Sequence, residues 1–560
     1  MELILIKSYK HLSVYEKEWS DILEANQNTN PFIEYEFVYN WWQFLGENEE
    51  VEIYAVKEHN RIIAFFPFQS KKTWFGYILH FLALGDANYM DIIAKKRDVD
   101  RVIMFVFDAI IKKKKSVVFY LHGLLESVDT PFQLSNYLKA RNMKEQYYRI
   151  VTPYIDLQNL SYEEYMKSRQ KLHGLDRREK RLRLLGEVRL QISSAIQMNQ
   201  IFKVHQKRWE KKNDTSGFSS DRKKAFFQHL AEQNHGKLGV RLTTLTLENK
   251  IISFTYGFSC RGRYLGYVLG HDSDFDVYGP GRILVKEKIK RIIDDGFHKL
   301  DMSIGYEPYK FEWNTDLDYT RKTIFSTNTL RAKTYRNFLW AKQTIISKLR
   351  KYYSLVIFRR NYIGKLKYYI RNKEKINFRK VILKKKLLPY LYELKKYVIA
   401  KLDVNETNMK SHFKKITPET GLNIKNDRRE ILQKIYNGYK GYYSTDPNKA
   451  FWVNEKVIRI DDIEVVSNLK KRSVYIRDWE NEHLESVISF VHENYQPKHI
   501  FVHVNKRDKK SVKRLGKLGF KTTEKLSYSR IFGNKKVKKE EVNKREGASY
   551  YTFRKKVSKY

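Results

Sequence analysis

The chain has 560 residues, long for one domain, and two or three are expected. Its 42% hydrophobic and 14% aromatic content supplies packed cores and excludes a disordered chain, while 108 Lys and Arg against 64 Asp and Glu leave a net charge of +44. A single cysteine, Cys260, excludes an internal disulfide and any cysteine-based metal cluster, and it fits a reducing compartment.

The first residues, MELILIKSYK, lack a basic stretch followed by a long apolar run, so they read as a strand entering a helix and not as a signal peptide. The longest apolar runs, near Val102 to Ile111 and Trp74 to Leu84, fall short of the ~18 to 20 residues that cross a bilayer. A cytoplasmic location is expected, with peripheral attachment at the inner face of the membrane left open.

Residues 1–150 read as strand, helix, helix, then strands at Val51 to Lys57 and Arg61 to Gln69. A hairpin-like stretch from Trp74 to Ala94 follows, then a helix from about Asp98 and a strand at Ser116 to Leu121. This is an α/β pattern with its own core. Asn30-Pro31 marks a helix start, and the Trp41-Trp42 pair behind it either stacks on sugar rings or faces core and neighbouring helix. Asp86 and Asp91 bracket a turn; they either orient a hydroxyl-rich substrate or satisfy nearby backbone N–H groups.

Residues 151–330 open with a strand at Tyr154 and a capping box, Ser161 with Glu164. A long basic helix is expected next, interrupted at Gly174 and carrying Arg177 and Arg181. Its charges either solvate an outer face or grip phosphate and carboxylate groups. The following helix, Ile201 to Lys212, places Arg208 and Trp209 side by side, of which Trp209 is assigned to the core. Three strand-like runs, Val240 to Leu247, Ile251 to Ser259 and Arg263 to Leu269, are separated by turn signals and predict an antiparallel meander. Helical spacing then places Ile283, Leu284, Ile289 and Ile292 on one side, with Lys286, Lys288 and Lys290 interleaved, up to a stop at Gly296. The loop between meander and helix, Tyr278-Gly279-Pro280-Gly281-Arg282, leaves backbone N–H groups pointing one way at the positive end of a helix. It suits a pyrophosphate, and it equally suits an ordinary strand-to-helix connection.

Meander, glycine loop, helix and a following strand at Lys299 to Ile304 resemble the order in which GNAT-superfamily acyltransferases hold acyl-CoA. More narrowly, Asp301, Gly305, Glu307, Tyr309, Lys310 and Trp313 resemble the D-x-x-x-G-x-E-x-Y-K-x-x-W signature of the CelD/BcsL branch. The likeness takes in the stretches from Arg169 to Gly186, His205 to Phe218 and Asn30 to Trp42, and covers roughly residues 1–325. The loop departs from the superfamily's Q/R-x-x-G-x-G/A, and Tyr306 stands where an acidic residue is expected.

The resemblance implies an α/β fold of tandem GNAT-like domains with mixed, mostly antiparallel sheets, an N-terminal half at 1–150 and an acyltransferase half at 151–330. It implies acetyl-CoA or another acyl-CoA as co-substrate and no metal, with Tyr278, Gly279, Gly281 and Arg282 at the donor. Asp301 is the candidate base or acceptor-positioning residue, Tyr309 the acid, and Lys310 the neutraliser of phosphate or oxyanion. Arg177, Arg181, Trp209, Glu307, Asp86 and Asp91 are the candidate acceptor contacts.

Beyond residue 330 the charge becomes local: residues 331–400 hold 21 Lys and Arg against Glu374 and Glu393. Aromatic and aliphatic residues recur among them, which predicts a basic amphipathic helical segment over 331–403 facing an anionic surface, lipid or nucleic acid. The region 404–533 ends in a strand to Asn505, a helix and a Leu518-Gly519-Phe520 turn, and resembles a degenerate GNAT-like accessory domain. The tail 534–560 is lysine-rich and is expected to be partly disordered.

The leading expectation is an acyltransferase acting on a sugar, polysaccharide precursor or cell-envelope intermediate, with a carbohydrate or lipid-linked glycan as acceptor. Two alternatives stand beside it. One is a FemABX-like transferase that takes an amino acid from tRNA to a peptidoglycan precursor; the other is a non-catalytic, membrane-associated scaffold.

Overall fold

The apolar alternation along residues 51–73 and 239–271 becomes strands of one mixed sheet. The computed structural model describes residues 1–169, 172, 174–211, 218, 220–233, 237–351, 392–404, 412–424, 427–531, 534–542 and 549–551. Two units emerge, one of Met1–Arg183, Glu187–Ser273 and Gly279–Tyr368, the other of Leu184–Gly186, Asp274–Tyr278 and Tyr369–Tyr560.

In the first unit, the N-terminal module runs β1 (Glu2–Ile6), α1 (Tyr9–Leu12), α2 (Glu16–Ala25), α3 (Tyr35–Leu45), β2 (Glu50–Glu58), β3 (Arg61–Thr73), β4 (Gly76–Phe81) and β5 (Ile93–Ala94). It continues through α4 (Val99–Lys114), β6 (Val117–Leu125), α5 (Thr130–Ala140) and β7 (Gln146–Asp156). The next module runs α6 (Tyr162–Lys167), α7 (Gly174–Arg183), β8 (Val188–Ser193), α8 (Met198–Lys211), α9 (Asp221–Glu232), β9 (Gly239–Leu247), β10 (Lys250–Cys260) and β11 (Arg263–His271). It closes with α10 (Pro280–Asp294), β12 (Lys299–Asp301), α11 (Lys310–Trp313) and β13 (Asp316–Ser326), and α12 (Leu330–Lys351) follows.

The order across the sheet is β1-β2-β3-β4-β6-β13-β7-β12-β11-β10-β9-β8, with β5 paired to β3. Each module repeats one plan: four antiparallel strands, a crossover helix, and a fifth strand parallel to the fourth, β4 with β6 and β11 with β12. The last strands are exchanged. β13 lies between β6 and β7, and β7 between β13 and β12, all antiparallel. One apolar core therefore runs through both modules, and Phe32 and Phe37 of the first meet Phe258 of the second edge-on at 5.6 and 6.1 Å. Such pairs add about 0.5–1.5 kcal/mol each beyond area burial.

The second unit carries the plan a third time. Its strands are β14 (Tyr392–Asp403), β15 (Lys414–Lys415), β16 (Lys440–Tyr443), β17 (Phe451–Asn454), β18 (Val457–Ile460), β19 (Val465–Asn468), β20 (Ser473–Arg477), β21 (His499–Asn505), β22 (Lys521–Ile531), β23 (Asn534–Glu541) and β24 (Ser549–Tyr551). The helix Leu484–Tyr495 crosses from β20 to the parallel β21, and β14 inserts between β21 and β22.

Several local expectations change. The basic helix is two helices, because the chain leaves helical geometry after Lys167 and restarts at Gly174. The strand after α10 stops at Asp301, where Ser303 takes a positive φ of 66°. Residues 392–403 are a strand and not helix: alternate side chains meet two hydrophobic clusters, Val398 and Ala400 one and Tyr397 and Ile399 the other. Of the expected helical segment 331–403, Leu330–Lys351 form helix α12, and 352–391 lie outside the described residues. The tail is strand at β23, paired along β22, whereas 552–560 lie outside the described residues. Trp41 and Trp42 are both buried, which leaves neither ring for a sugar. Among the described residues no helix is long and apolar enough to cross a membrane.

Candidate functional site

A cavity of about 520 Å³ opens in the C-terminal module of the first unit. Its origin is a loss of pairing. β12 pairs with β11 only over Arg263–Leu265 and ends at Asp301, so among the described residues β11 from Gly266 onward has no strand beside it on that side. The β10–β11 register also shifts here, Tyr256 facing Val268 and Gly257 facing Gly266, which leaves Tyr267 as a bulge that re-aims the following residues. Gly266 to Leu269 form one wall, Val285 and Lys288 of α10 another, and Met302 to Ile304 with Glu307, Tyr309 and Lys310 a third. Asp86, His205, Arg208, Trp209 and Lys223 close it.

At the floor, Asp301 is 2% exposed, and three donors fill its carboxylate. Tyr89 donates its hydroxyl to Oδ1 at 2.9 Å, Ser303 its backbone N–H at 2.6 Å, and Arg263 its guanidinium to Oδ2. Arg263 is itself buried, so the pair is a desolvated one, in which losing either member strands the other charge. Lys310, 4% exposed, spends its ammonium on the carbonyl oxygens of Ile304 (2.7 Å) and Ser303 (3.3 Å) and on the Glu307 carboxylate (3.0 Å). It clamps the turn that carries the signature and has no donor left for a phosphate. Gly305 sits at φ 127°, a backbone conformation that L side chains rarely adopt, which explains the glycine. Tyr309 lines the cavity; burial, then the Glu307 carboxylate, pushes its phenol up to about 12.

On the far wall, Asp86 is held by Trp41 Nε1 at 3.1 Å and by Lys223, and its carbonyl accepts from the Tyr267 hydroxyl at 2.7 Å. Trp209 is half-buried at the cavity, where its Nε1 donates to His205 Nε2 at 2.9 Å; the expected core position is not the one it takes. Arg208 donates to the Leu269 carbonyl at 3.1 Å.

Asp91, Arg177 and Arg181 do not line the cavity. Burial pushes the Asp91 carboxyl up to about 6, opposed by hydrogen bonds from Thr130 and the Ile92 N–H, a pairing at the start of α5. Arg177 is exposed on α7 and Arg181 half-buried. Arg178 is the member of that helix beside the loop: its Nη1 lies 3.2 Å from where a Cβ on Gly279 would stand.

The loop itself has the backbone that the glycines predict. Gly279 is the N-cap of α10 at φ 68°, Pro280 takes the first helical position, and Arg282 and Ile283 donate to the Gly279 carbonyl at 3.0 and 3.2 Å. The Gly281 N–H, which has no intrahelical acceptor, points out of the helix end with the dipole behind it. Arg282 is tied to Glu312, so it faces a carboxylate within the fold. Tyr278 groups with the second unit; it is buried and donates its hydroxyl to the Leu432 carbonyl at 3.2 Å. At this loop the Gly281 N–H and the Arg178 guanidinium are the donors that stand open to an anion.

Lys288 is the residue that sequence reading passed over. It sits four residues from Leu284 and four from Ile292, on the apolar stripe of α10, and that placement is the signal. It is 7% exposed, lines the cavity, stands 4.8 Å over the Tyr264 ring and pairs with no carboxylate among the described residues. Burial pushes its ammonium down to about 8. Among the described residues no group of His, Cys, Asp and Glu could hold a metal.

Residues 169–311 match the family model described as the acetyltransferase (GNAT) domain, less than half of the chain. No curated protein matches. Among solved structures, FemX is similar at 9% identity and TM-score 0.42, over 61% of this chain and 100% of its own. A tandem GNAT protein from the clavulanic acid biosynthesis pathway is similar at 9% identity and TM-score 0.35, over 57% and 98%. The C-terminal domain of a lysylphosphatidylglycerol synthetase from Agrobacterium fabrum, itself described as putative, is similar at 11% identity and TM-score 0.38, over 59% and 96%.

Proposed function

We propose that the C-terminal module of the first unit transfers an acyl group from acyl-CoA to an amine or hydroxyl of a sugar, polysaccharide precursor or cell-envelope intermediate. The observation that supports this most is the cavity between β11, β12 and α10, bounded by the helix whose N-terminus carries the glycine loop. Acyl-CoA lays its pyrophosphate at the Gly281 N–H and Arg178, and its thioester reaches along α10 into the cavity. The acceptor enters between Asp86, Trp209 and Glu307.

The chemistry follows from which side chains are free. Asp301 has its carboxylate oxygens occupied by Arg263, Tyr89 and the Ser303 N–H, so we assign it to positioning: it fixes Ser303 and the turn behind it. Lys288 is the base, because a substantial fraction of a lysine titrating near 8 is neutral at physiological pH. It accepts the acceptor's proton as the acceptor oxygen or nitrogen bonds to the acyl carbon, and the carbon–sulfur bond breaks. Tyr309, protonated throughout that pH range, supplies a proton to the departing thiolate.

The test is calorimetry of the full chain with acetyl-CoA, followed by thiol release in the presence of amino sugars and lipid-linked glycans. No binding at millimolar acetyl-CoA refutes the reading and favours a scaffold. A second reading, aminoacyl transfer from tRNA, is favoured by the net charge of +44. tRNA that copurifies with the chain and is consumed in transfer would establish it.

A further inference from the structure

An exposed tryptophan stands at the tip of the β3–β4 hairpin in the first unit. Thr73 pairs with Gly76, which leaves Trp74 and Phe75 as the two turn residues. Phe75 turns inward: it is 3% exposed and stacks on Tyr335 of α12 at 3.4 Å, and Tyr335 stacks on Phe338 at 5.9 Å. Trp74 turns outward and is 84% exposed, with the edge of Phe75 against it at 5.3 Å. A ring of that size left in water on a rigid two-residue turn removes apolar area from burial with no return inside the fold.

What surrounds it is cationic. Lys71 and Lys72 are exposed on β3 just before the tip. The end of α4 is brought alongside by Ser116, whose hydroxyl donates to the Phe75 carbonyl at 2.7 Å, and Lys115 there is exposed. Thr329, just before α12, donates to the Ser116 hydroxyl at 3.1 Å, which brings the start of this helix, with exposed Arg331 and Lys333, close to the tip. No residue of α12 is acidic. In the first turns of this helix Leu330 (81%) and Phe338 (58%) are exposed apolar side chains as well. Of the nearby carboxylates, Glu52 is neutralised by Lys114 at 2.7 Å and Glu50 lies back along β2, opposite Ser70 and away from the tip.

We propose that this tip docks on an anionic lipid bilayer, with Trp74 seated at the headgroup level and Lys71, Lys72, Lys115, Arg331 and Lys333 facing lipid phosphates. An aromatic ring with a polar N–H prefers the boundary between acyl chains and headgroups, and a ring of lysines around it is attracted by the surface potential. A nucleic acid would satisfy the cations but leaves Leu330 and Phe338 in water, which is why the bilayer is the occupant the patch fits. The docking surface is separate from the transfer cavity and does not depend on the transferase reading.

The test uses the full chain with vesicles of phosphatidylglycerol or of phosphatidylcholine, cosedimented across salt that takes the Debye length from about 10 Å to about 3 Å. Wild type is expected to prefer phosphatidylglycerol and to release as salt rises. Lys71→Glu with Lys72→Glu should weaken binding by at least about tenfold, since each cation near the surface contributes about that order. Brominated phosphatidylglycerol should quench wild-type tryptophan fluorescence, and Trp74→Phe, a change at an exposed position that leaves the fold intact, should remove most of that quenching. Unchanged binding in the charge reversal, equal binding to both vesicles, or quenching indifferent to Trp74→Phe would overturn the proposal. So would tRNA binding that is tighter than vesicle binding and is lost in the same charge reversal.

Discussion

Replacing Lys288 by methionine should make the protein more stable and leave it inactive. In the unfolded chain the amine titrates at 10.5, and in the folded protein burial lowers it to about 8. The folded state therefore holds the proton less tightly than the unfolded one, and the penalty is fully present below pH 8 and fades as pH rises from 8 to 10.5. At about 1.4 kcal/mol per unit, burying the ammonium costs on the order of 3 kcal/mol at pH 7. Methionine has similar length and no charge, so Lys288→Met should raise unfolding free energy by about that amount at pH 7 and by almost nothing near pH 10.5. Urea denaturation of both proteins across this range reads the difference directly. In thiol-release assays the wild-type rate should rise with pH through about 8 as the amine becomes neutral, and the variant should lose about 10²- to 10⁴-fold. A variant that is less stable at pH 7, or a gap that does not close on raising pH, would mean that the ammonium has an anionic partner in the fold and would refute the base assignment.

Asp301→Asn, although isosteric, should cost about 3–5 kcal/mol of stability, because it strands the buried Arg263 charge; equal denaturation midpoints for variant and wild type would show the pair to be solvated. Arg263→Met together with Asp301→Asn should recover much of that loss while activity stays low, a double-mutant comparison that separates folding from positioning. Gly281→Asp puts a carboxylate at the expected pyrophosphate position, where acetyl-CoA affinity by calorimetry should fall at least about tenfold. Gly279→Ala must hold φ 68° with a side chain, so about 1–2 kcal/mol of stability should be lost in thermal or urea unfolding.

Much of the local structure was legible along the chain. The meander at Val240 to Leu269, the helix stopped by Gly296, the capping box at Ser161 and the strand–helix–strand from His499 to Ile531 each follow from periodicities and turn residues that act within a few positions. Gly279 and Gly305 likewise announce backbone that other residues take up only under strain. Tertiary structure decided what those segments meet. A strand reads the same whoever its neighbour is, so the exchange of β7 and β13 between modules and the capture of β14 by the last sheet rest on pairings more than a hundred residues apart. The roles of charged residues turned on the same nonlocal facts. Asp301 and Lys310 look free in the sequence and are filled by Arg263, Tyr89 and the Ser303–Ile304 carbonyls, whereas Lys288 looks like one more surface lysine but lines the cavity and pairs with no carboxylate among the described residues. A charge costs or contributes according to what lies within a few ångströms of it, and those neighbours are assembled only when the sheet closes.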